Sequence, residues 1–134
     1  MTAVGDNIPP WTMSLVDPER MKTMAAILRD PYPVHWDRSV NNRLGLDGRV
    51  INQGPLNLSY IVNMLHAWSG PASVRRLTVS FGRPVLDGDT VTANGTVVAV
   101  DWVGGETQAT CDVWLERDGE RVVTGSAVVG IATR

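Results

Sequence analysis

The sequence has little of what several large classes of protein need. Its 134 residues include one cysteine, Cys111, and two histidines. A single cysteine cannot form an internal disulfide, and these ligands are too few for a zinc cluster, so we predict no metal site. The alternating neighbours of Cys111, Ala109 and Val113, are apolar. This pattern indicates that the thiol belongs to a small buried side chain.

Positive charge is scarce as well. The chain has 12 Lys and Arg residues against 14 Asp and Glu, which gives a formal net charge of −2. Binding to DNA or RNA normally requires clustered basic residues, so we expect no nucleic-acid partner. Residues 1–15 lack a basic start followed by an apolar stretch, and no run approaches the roughly 20 apolar residues that cross a bilayer. We therefore expect a cytoplasmic protein with no membrane partner.

The composition that remains is that of one ordinary globular domain over residues 1–134. Hydrophobic residues make up 43% of the chain and charged residues 19%, which is typical of a soluble folded protein. A chain of this length buries roughly 68% of its unfolded surface, enough for a single core. No repeat, low-complexity tract or block of charge marks a linker.

The first part of the chain predicts a strand, a helix and a long irregular segment. Residues 11–16 favour a short strand. Residues 17–20, Asp-Pro-Glu-Arg, are typical of a helix start with an N-cap and a first-turn proline, and this helix should end near Leu28. Residues 30–53 carry Gly, Pro, Asn and Asp without sustained periodicity, which predicts a structured loop with one helical turn near residues 39–44. Long loops in compact domains are often functional.

A buried helix is predicted for residues 54–68. Apolar side chains surround it and leave only a narrow polar stripe, as expected of a helix enclosed by other elements. Residues 69–71, Ser-Gly-Pro, should end it. A helix start presents unpaired backbone N–H groups and a positive dipole end, and Gly54 at this start would let a ligand oxygen approach closely.

The rest of the chain has the alternating period of β-strands. The predicted strands cover residues 74–81, 90–101, 106–117 and 121–132. Asp118 and Gly119, between the last two, are a strong signal for a hairpin turn. One long apolar helix followed by four antiparallel strands predicts an α+β fold, in which an antiparallel β-sheet wraps around a long central helix.

Two segments of the chain resemble the family of MaoC-like dehydratases and (R)-specific enoyl-CoA hydratases. Residues 30–37, Asp-Pro-Tyr-Pro-Val-His-Trp-Asp, are similar to the hydratase motif of that family. The positions that match are Asp30, Pro33, His35 and Asp37. Tyr32 stands where Asn is usual. Residues 81–91 are similar to the strand and turn by which the family enters its later sheet, and the whole resemblance covers residues 16–131.

The start of the central helix carries a departure from that family and a narrower resemblance. The chain has Gln53 and Gly54 where the family commonly has His-Gly. Residues 50–54 and 68–71 resemble the small MaoC-like subunits of actinobacterial steroid side-chain hydratases, which also vary this site. The narrower resemblance implies a bulky acyl substrate, a steroid or a polyketide.

The family resemblance implies a single hot-dog domain that acts as an enoyl-CoA hydratase or 3-hydroxyacyl thioester dehydratase. Asp30 and His35 would hold and activate water, and the backbone N–H of Gly54 would hold the thioester oxygen. The predicted substrate-binding residues are Tyr32, Asn52, Gln53 and Ser59. No cofactor is implied, since coenzyme A or a carrier pantetheine would be part of the acyl-thioester substrate. The family also implies a homodimer, or a heteromer with a related hot-dog subunit.

Other interpretations stay open. Asp30 could be a turn residue, and His35 a loop histidine bonded to a backbone carbonyl. His66 is expected to be a structural histidine far from this pair. A hot-dog thioesterase is an alternative function, although residues 56–68 contain no Asp or Glu to activate water as many such enzymes do. A second alternative is a non-catalytic subunit that binds acyl thioester, but such a subunit would not need both members of the Asp-His pair.

Overall fold

The computed structural model of the protein describes residues 1–132. Three α-helices are present in this range: α1 Pro18–Leu28, α2 Arg38–Arg43 and α3 Gly54–Ser69. The strands are β1 Asn7–Met13, β2 Val74–Phe81, β3 Val91–Val103, β4 Glu106–Arg117 and β5 Glu120–Ile131. A short 3-10 turn, Pro33–His35, lies between α1 and α2. No helix of the described residues has the length and hydropathy that crossing a membrane requires.

The strands form one antiparallel sheet in the order β1-β3-β4-β5-β2, and α3 contacts all five strands. The inner face of α3 is fully buried against the sheet at Ile61, Met64 and Leu65. Cys111 on β4 is also fully buried in this core, as predicted. The α+β fold with a sheet around a central helix, the hot-dog arrangement, is therefore confirmed.

The first strand was predicted at the wrong place. The sequence favoured residues 11–16, but β1 covers Asn7–Met13 and includes Pro9 and Pro10. Its register with β3 shifts between Ile8 and Trp11, so both prolines fall at the irregularity, and β1 is an edge strand. Prolines are tolerated at such places because no ladder N–H is needed there.

The predicted ends of the other elements agree with the structure to within two residues. The carboxylate of Asp17 accepts a hydrogen bond from the Glu19 N–H at 2.9 Å, as expected of an N-cap. Helix α3 stops at Gly70, whose φ of 96° favours glycine. Asp118 and Gly119 both have positive φ and join β4 to β5, as the hairpin signal predicted.

Candidate active site

Asp30 lies directly after α1, where the chain turns away from the helix. Arg29 ends α1 in the left-handed conformation, with φ 52°, and the N–H of Asp30 then donates to the carbonyl of Ala25. The Oδ1 atom of Asp30 accepts a hydrogen bond from the N–H of Tyr32 at 3.1 Å. The side chain of Asp30 is 44% exposed.

His35 ends the 3-10 turn and is held by the backbone. Its Nδ1 atom lies 2.7 Å from the carbonyl oxygen of Ile51. A carbonyl oxygen can only accept, so Nδ1 carries the proton in this contact and Nε2 is left as the acceptor in the neutral ring. The His35 side chain is only 13% exposed, which limits the orientations open to the ring.

The structure brings Asp30 and His35 together. The Nε2 atom of His35 lies 3.9 Å from Oδ2 of Asp30. This separation is too long for a direct hydrogen bond and is suited to a third atom, such as a water oxygen, that contacts both groups. His35 is therefore the carbonyl-bonded loop histidine of the simpler interpretation, and its other ring nitrogen faces the carboxylate of Asp30.

Gly54 begins α3, three residues after Ile51. Among the described residues no acceptor pairs with its backbone N–H, as expected in the first turn of a helix. The ring of Phe81 covers one side of this glycine: a Cβ atom added to Gly54 would lie 3.1 Å from Cζ of Phe81. Phe81 is itself 55% exposed, so an apolar ring flanks the open end of α3.

Two of the predicted substrate-binding side chains point into the interior. Gln53 is 1% exposed and donates from Nε2 to the carbonyl of Met21 at 2.7 Å. Asn52 is 3% exposed and donates from Nδ2 to Asn57 and to the hydroxyl of Tyr60. These contacts tie the start of α3 to α1 and to its own first turns. A direct role of either side chain in substrate binding stays a prediction.

The other two predicted substrate-binding residues differ in position. The ring of Tyr32 meets the ring of His35 edge-on, with the centroids 5.9 Å apart, and Tyr32 is 59% exposed. The hydroxyl of Ser59 donates to the carbonyl of Leu56 on its own helix at 2.6 Å. Tyr32 therefore lies at the edge of the Asp-His pair, and Ser59 is already satisfied within α3.

The second histidine lies at the opposite end of the central helix. His66 is in the last turn of α3. It lies twelve positions after Gly54, which corresponds to about 18 Å along a helix. His66 therefore does not join Asp30 and His35, as expected. Within residues 1–132, no three His, Cys, Asp or Glu side chains are grouped so that they could hold a metal ion.

A cluster of charged groups supports the segment that leads into α3, and the sequence patterns did not reveal it. The carboxylate of Asp89 accepts hydrogen bonds from Arg49, from Arg117 at 2.9 Å and from the N–H of Leu86 at 2.9 Å. Burial alone would raise the pKa of Asp89. The hydrogen bonds from Leu86, Arg49 and Arg117 outweigh burial, so the pKa lies below its usual value.

The sequence and the fold are similar to those of known proteins. The model of the MaoC like domain matches residues 5–115. The (R)-hydratase from A. caviae involved in PHA biosynthesis is 27% identical, with a TM-score of 0.85 over 98% of each chain. A chain of the ChsH1-ChsH2 complex from Mycobacterium tuberculosis is 25% identical, with a TM-score of 0.81 over 98% of this chain and all of that one. No curated protein matches the sequence.

Proposed function

Because the chain belongs to the MaoC-like dehydratase family, we propose that it catalyses the reversible hydration of an enoyl thioester. The reverse reaction is the dehydration of a 3-hydroxyacyl thioester. The observation that carries this proposal is the pair of Asp30 and His35, in which Nδ1 is bonded to the carbonyl of Ile51 and Nε2 lies 3.9 Å from Oδ2. The similarity to the (R)-hydratase from A. caviae supports it.

The pair provides both an acid and a base. Water between Oδ2 of Asp30 and Nε2 of His35 would donate one proton to the pair as its oxygen attacks the β-carbon of the enoyl group. The electrons of the C=C bond move to the α-carbon, which takes a proton back from the pair, so the net change is the addition of one water. In the dehydration direction the same groups act in reverse order.

The start of α3 would stabilise the enolate oxygen. Negative charge builds on the thioester oxygen as water adds, and the N–H of Gly54 has no acceptor among the described residues. A backbone donor at a positive helix end is suited to such a charge. The half-exposed ring of Phe81 against Gly54 would help to exclude water from this contact.

The substrate is proposed to be an acyl thioester of coenzyme A or of a carrier pantetheine, with no separate cofactor. The bulky acyl class, a steroid or a polyketide, is also a proposal. A thioesterase is not favoured, since α3 carries no Asp or Glu to activate water.

The protein is proposed to act as a homodimer or with a related hot-dog subunit. Two of the similar structures are two-component complexes, ChsH1-ChsH2 and HadBC, both from Mycobacterium tuberculosis. Strand β2 lies at one edge of the sheet, and Phe81 at its end is 55% exposed. An unpaired edge strand with an exposed apolar residue is the kind of surface that a second subunit covers.

The test is a direct assay of hydration. Purified protein is mixed with crotonyl-CoA or with a steroid enoyl-CoA, and loss of the conjugated enoyl-thioester absorbance is followed. We expect Asp30→Asn and His35→Ala each to lower kcat by about 10²- to 10⁴-fold. His66→Ala is the matched control and should retain the wild-type rate, because His66 lies at the far end of α3.

Two outcomes would count against the proposal. Turnover that survives both substitutions at the Asp-His pair would show that other groups do the chemistry. No turnover of either substrate by folded wild-type protein would favour the non-catalytic subunit, provided that a related hot-dog subunit restores activity when it is added.

A further inference from the structure

The turn that carries His35 is joined to the segment before α3 by backbone contacts. The N–H of Ile51 donates to the carbonyl of Val34 at 2.8 Å. The ring of His35 then donates from Nδ1 to the carbonyl of Ile51. The orientation of the imidazole therefore depends on how the 3-10 turn sits against residues 49–51.

One buried side chain holds these two pieces together. Asn41, on α2, is fully buried, and its Nδ2 atom donates to the carbonyl of Val34 and to the carbonyl of Arg49, each at 2.8 Å. The opposite orientation of the amide would place its oxygen against two carbonyl oxygens, so the donor assignment follows from the contacts. A single amide thus ties the turn of His35 to the segment that orients its ring.

Helix α2 brings Asn41 to this place, and Asp37 starts the helix. The carboxylate of Asp37 accepts hydrogen bonds from the N–H and the hydroxyl of Ser39 and from the N–H of Val40. The hydrogen bond from the Ser39 hydroxyl is the largest cause of a pKa of Asp37 below its usual value. Asp37 belongs to the hydratase-like segment 30–37, and in this structure it acts as a helix cap.

We propose that Asn41 is a positioning residue, which fixes the tautomer and the orientation of His35 through the carbonyl groups of Val34 and Arg49. Its effect on rate rests on the proposed hydratase function, but its effect on the ring of His35 does not. Without the amide, the 3-10 turn can shift against residues 49–51. The Nδ1 contact then weakens, and Nε2 no longer has to face Asp30.

Substitutions at two neighbouring asparagines separate this role from general effects on α2. Asn41→Ala removes both donors, and Asn42→Ala changes the exposed next residue of the same helix. We expect Asn41→Ala to lower kcat by about ten- to a hundredfold, with KM changed less than about twofold, because misplacing a reacting group by about 1 Å is costly. Asn42→Ala should match the wild type in both constants.

Asn41→Asp adds a readout in pH. A protonated carboxyl at this position can donate one hydrogen bond to a carbonyl, whereas an ionised carboxylate can donate none. The activity of Asn41→Asp relative to wild type should therefore fall as pH rises through the titration of the new carboxyl. The relative activity of Asn41→Ala should stay constant over the same range, measured where circular dichroism shows each variant folded.

The ring of His35 can also be observed without any assay of activity. The chain has two histidines, so ¹⁵N-labelled histidine gives two sets of ring signals, and His66→Gln assigns them. At a pH where the rings are neutral, we expect wild-type His35 to carry its proton on Nδ1. Asn41→Ala should show a mixture of the Nδ1 and Nε2 tautomers, with Asn42→Ala as the control.

Asp37→Ala keeps the test decisive if the variants of Asn41 do not fold. It loosens the start of α2 without leaving a cavity in the core, and it should shift the tautomer signal in the same direction by a smaller amount. The proposal is wrong if the His35 tautomer is unchanged in every folded variant of Asn41 and Asp37. A shifted tautomer in a protein that hydrates no enoyl thioester would support the positioning role and reject the hydratase function.

Discussion

The sheet and the segment of residues 30–53 are built on different principles. Along β4, every second side chain enters the core and is at most 1% exposed. These side chains are Ala109, Cys111, Val113 and Leu115. The segment 30–53 instead buries polar side chains, and it contains all of the buried side-chain atoms without a hydrogen-bond partner found in residues 1–132. These atoms are Oδ1 of Asn41, Oδ1 of Asn52 and Oε1 of Gln53.

This difference separates what stabilises the fold from what shapes the site. Burial of apolar surface contributes about 25 cal/mol per Å² and does not depend on direction. A hydrogen bond contributes only about 0.5–1.5 kcal/mol net, but it fixes an orientation. The sheet should therefore dominate the free energy of unfolding, and the segment 30–53 should dominate the geometry of Asp30 and His35.

The largest expected effect on stability is in the sheet. Leu115 is fully buried on β4, between the strand partners Ala93 and Val123. Leu115→Ala should lower the free energy of unfolding by about 2–5 kcal/mol, because the lost methyl groups leave a cavity. Urea unfolding measures this change, and the activity of the molecules that remain folded should not change.

The matched control lies in the segment 30–53. Leu44 is 60% exposed there, so Leu44→Ala should change the free energy of unfolding by less than about 0.5 kcal/mol. A lower kcat of fully folded Leu115→Ala would mean that packing in the sheet also determines the geometry of Asp30 and His35.

The thiol of Cys111 provides a second test of how closed the sheet is. Burial, and to a smaller extent the nearby charge of Asp112, raises the pKa of Cys111 from 9.0 to about 11. At pH 8 this shift alone makes the thiolate about a hundredfold scarcer than in the unfolded chain. A disulfide reagent should therefore label native protein at least that much more slowly than protein unfolded in urea.

Cys111 is the only cysteine, so the labelling signal has one source. Leu115→Ala should speed the labelling, because it makes opening of the sheet less costly. Asp30→Asn should leave the rate unchanged, because Asp30 lies in the segment outside the sheet. Rapid labelling of the native wild type would mean that the interior of the sheet opens readily. The sheet would then not be the more stable of the two regions.

Asp89 joins the two regions, and its substitution should have a smaller effect than the loss of Leu115. It comes just before β3 and binds Arg49 of the segment 30–53. Asp89→Asn should lower the free energy of unfolding at pH 7 by about 1–3 kcal/mol, because the partly buried charged hydrogen bonds from Arg49 and Arg117 are weakened. Urea unfolding at pH 7 measures this difference.

The pH dependence of that difference follows from the lowered pKa of Asp89. The folded-state pKa lies below the unfolded value of 3.8, so the ionised carboxylate stabilises the fold above about pH 4. This stabilisation is lost as pH falls through the folded-state pKa. The stabilities of wild type and Asp89→Asn should therefore converge in acid. A gap that stayed constant down to pH 3 would mean that the carboxylate charge does not contribute.

The difference between the sheet and the segment 30–53 also explains which features the sequence could predict. Alternation of side chains and a local turn signal at Asp118 and Gly119 were enough for the β4–β5 hairpin, because both act between near neighbours. The edge strand β1 was misplaced, since a bulge at Pro9 and Pro10 depends on the partner strand. Local sequence favours or disfavours a strand but does not show which residues a partner skips.

Within the segment 30–53, the sequence predicted the loop, the helical turn and, by resemblance, the pair of Asp30 and His35. It did not reveal the bond of His35 to Ile51 or the buried amide of Asn41. The groups in these contacts are 16, 7 and 8 residues apart in the chain. No periodicity in the sequence marks such contacts, because they depend on how the loop closes on itself.

The smallest expected change in stability is at Gly54, and it sets stability and activity against each other. Gly54→Ala should favour helix α3 through backbone entropy, while its Cβ would press on the ring of Phe81 at 3.1 Å. Phe81 is half-exposed and can yield, so the two effects nearly cancel, to within about 0.5 kcal/mol.

The methyl group of Gly54→Ala would nevertheless crowd the N–H proposed to bind the thioester oxygen. The kcat should therefore fall about tenfold, less than for full loss of such a donor. Phe81→Leu combined with Gly54→Ala should restore the fit of the ring but not kcat. Recovery of kcat in the double variant would instead assign the loss to the displaced ring and remove the support for Gly54 as the donor.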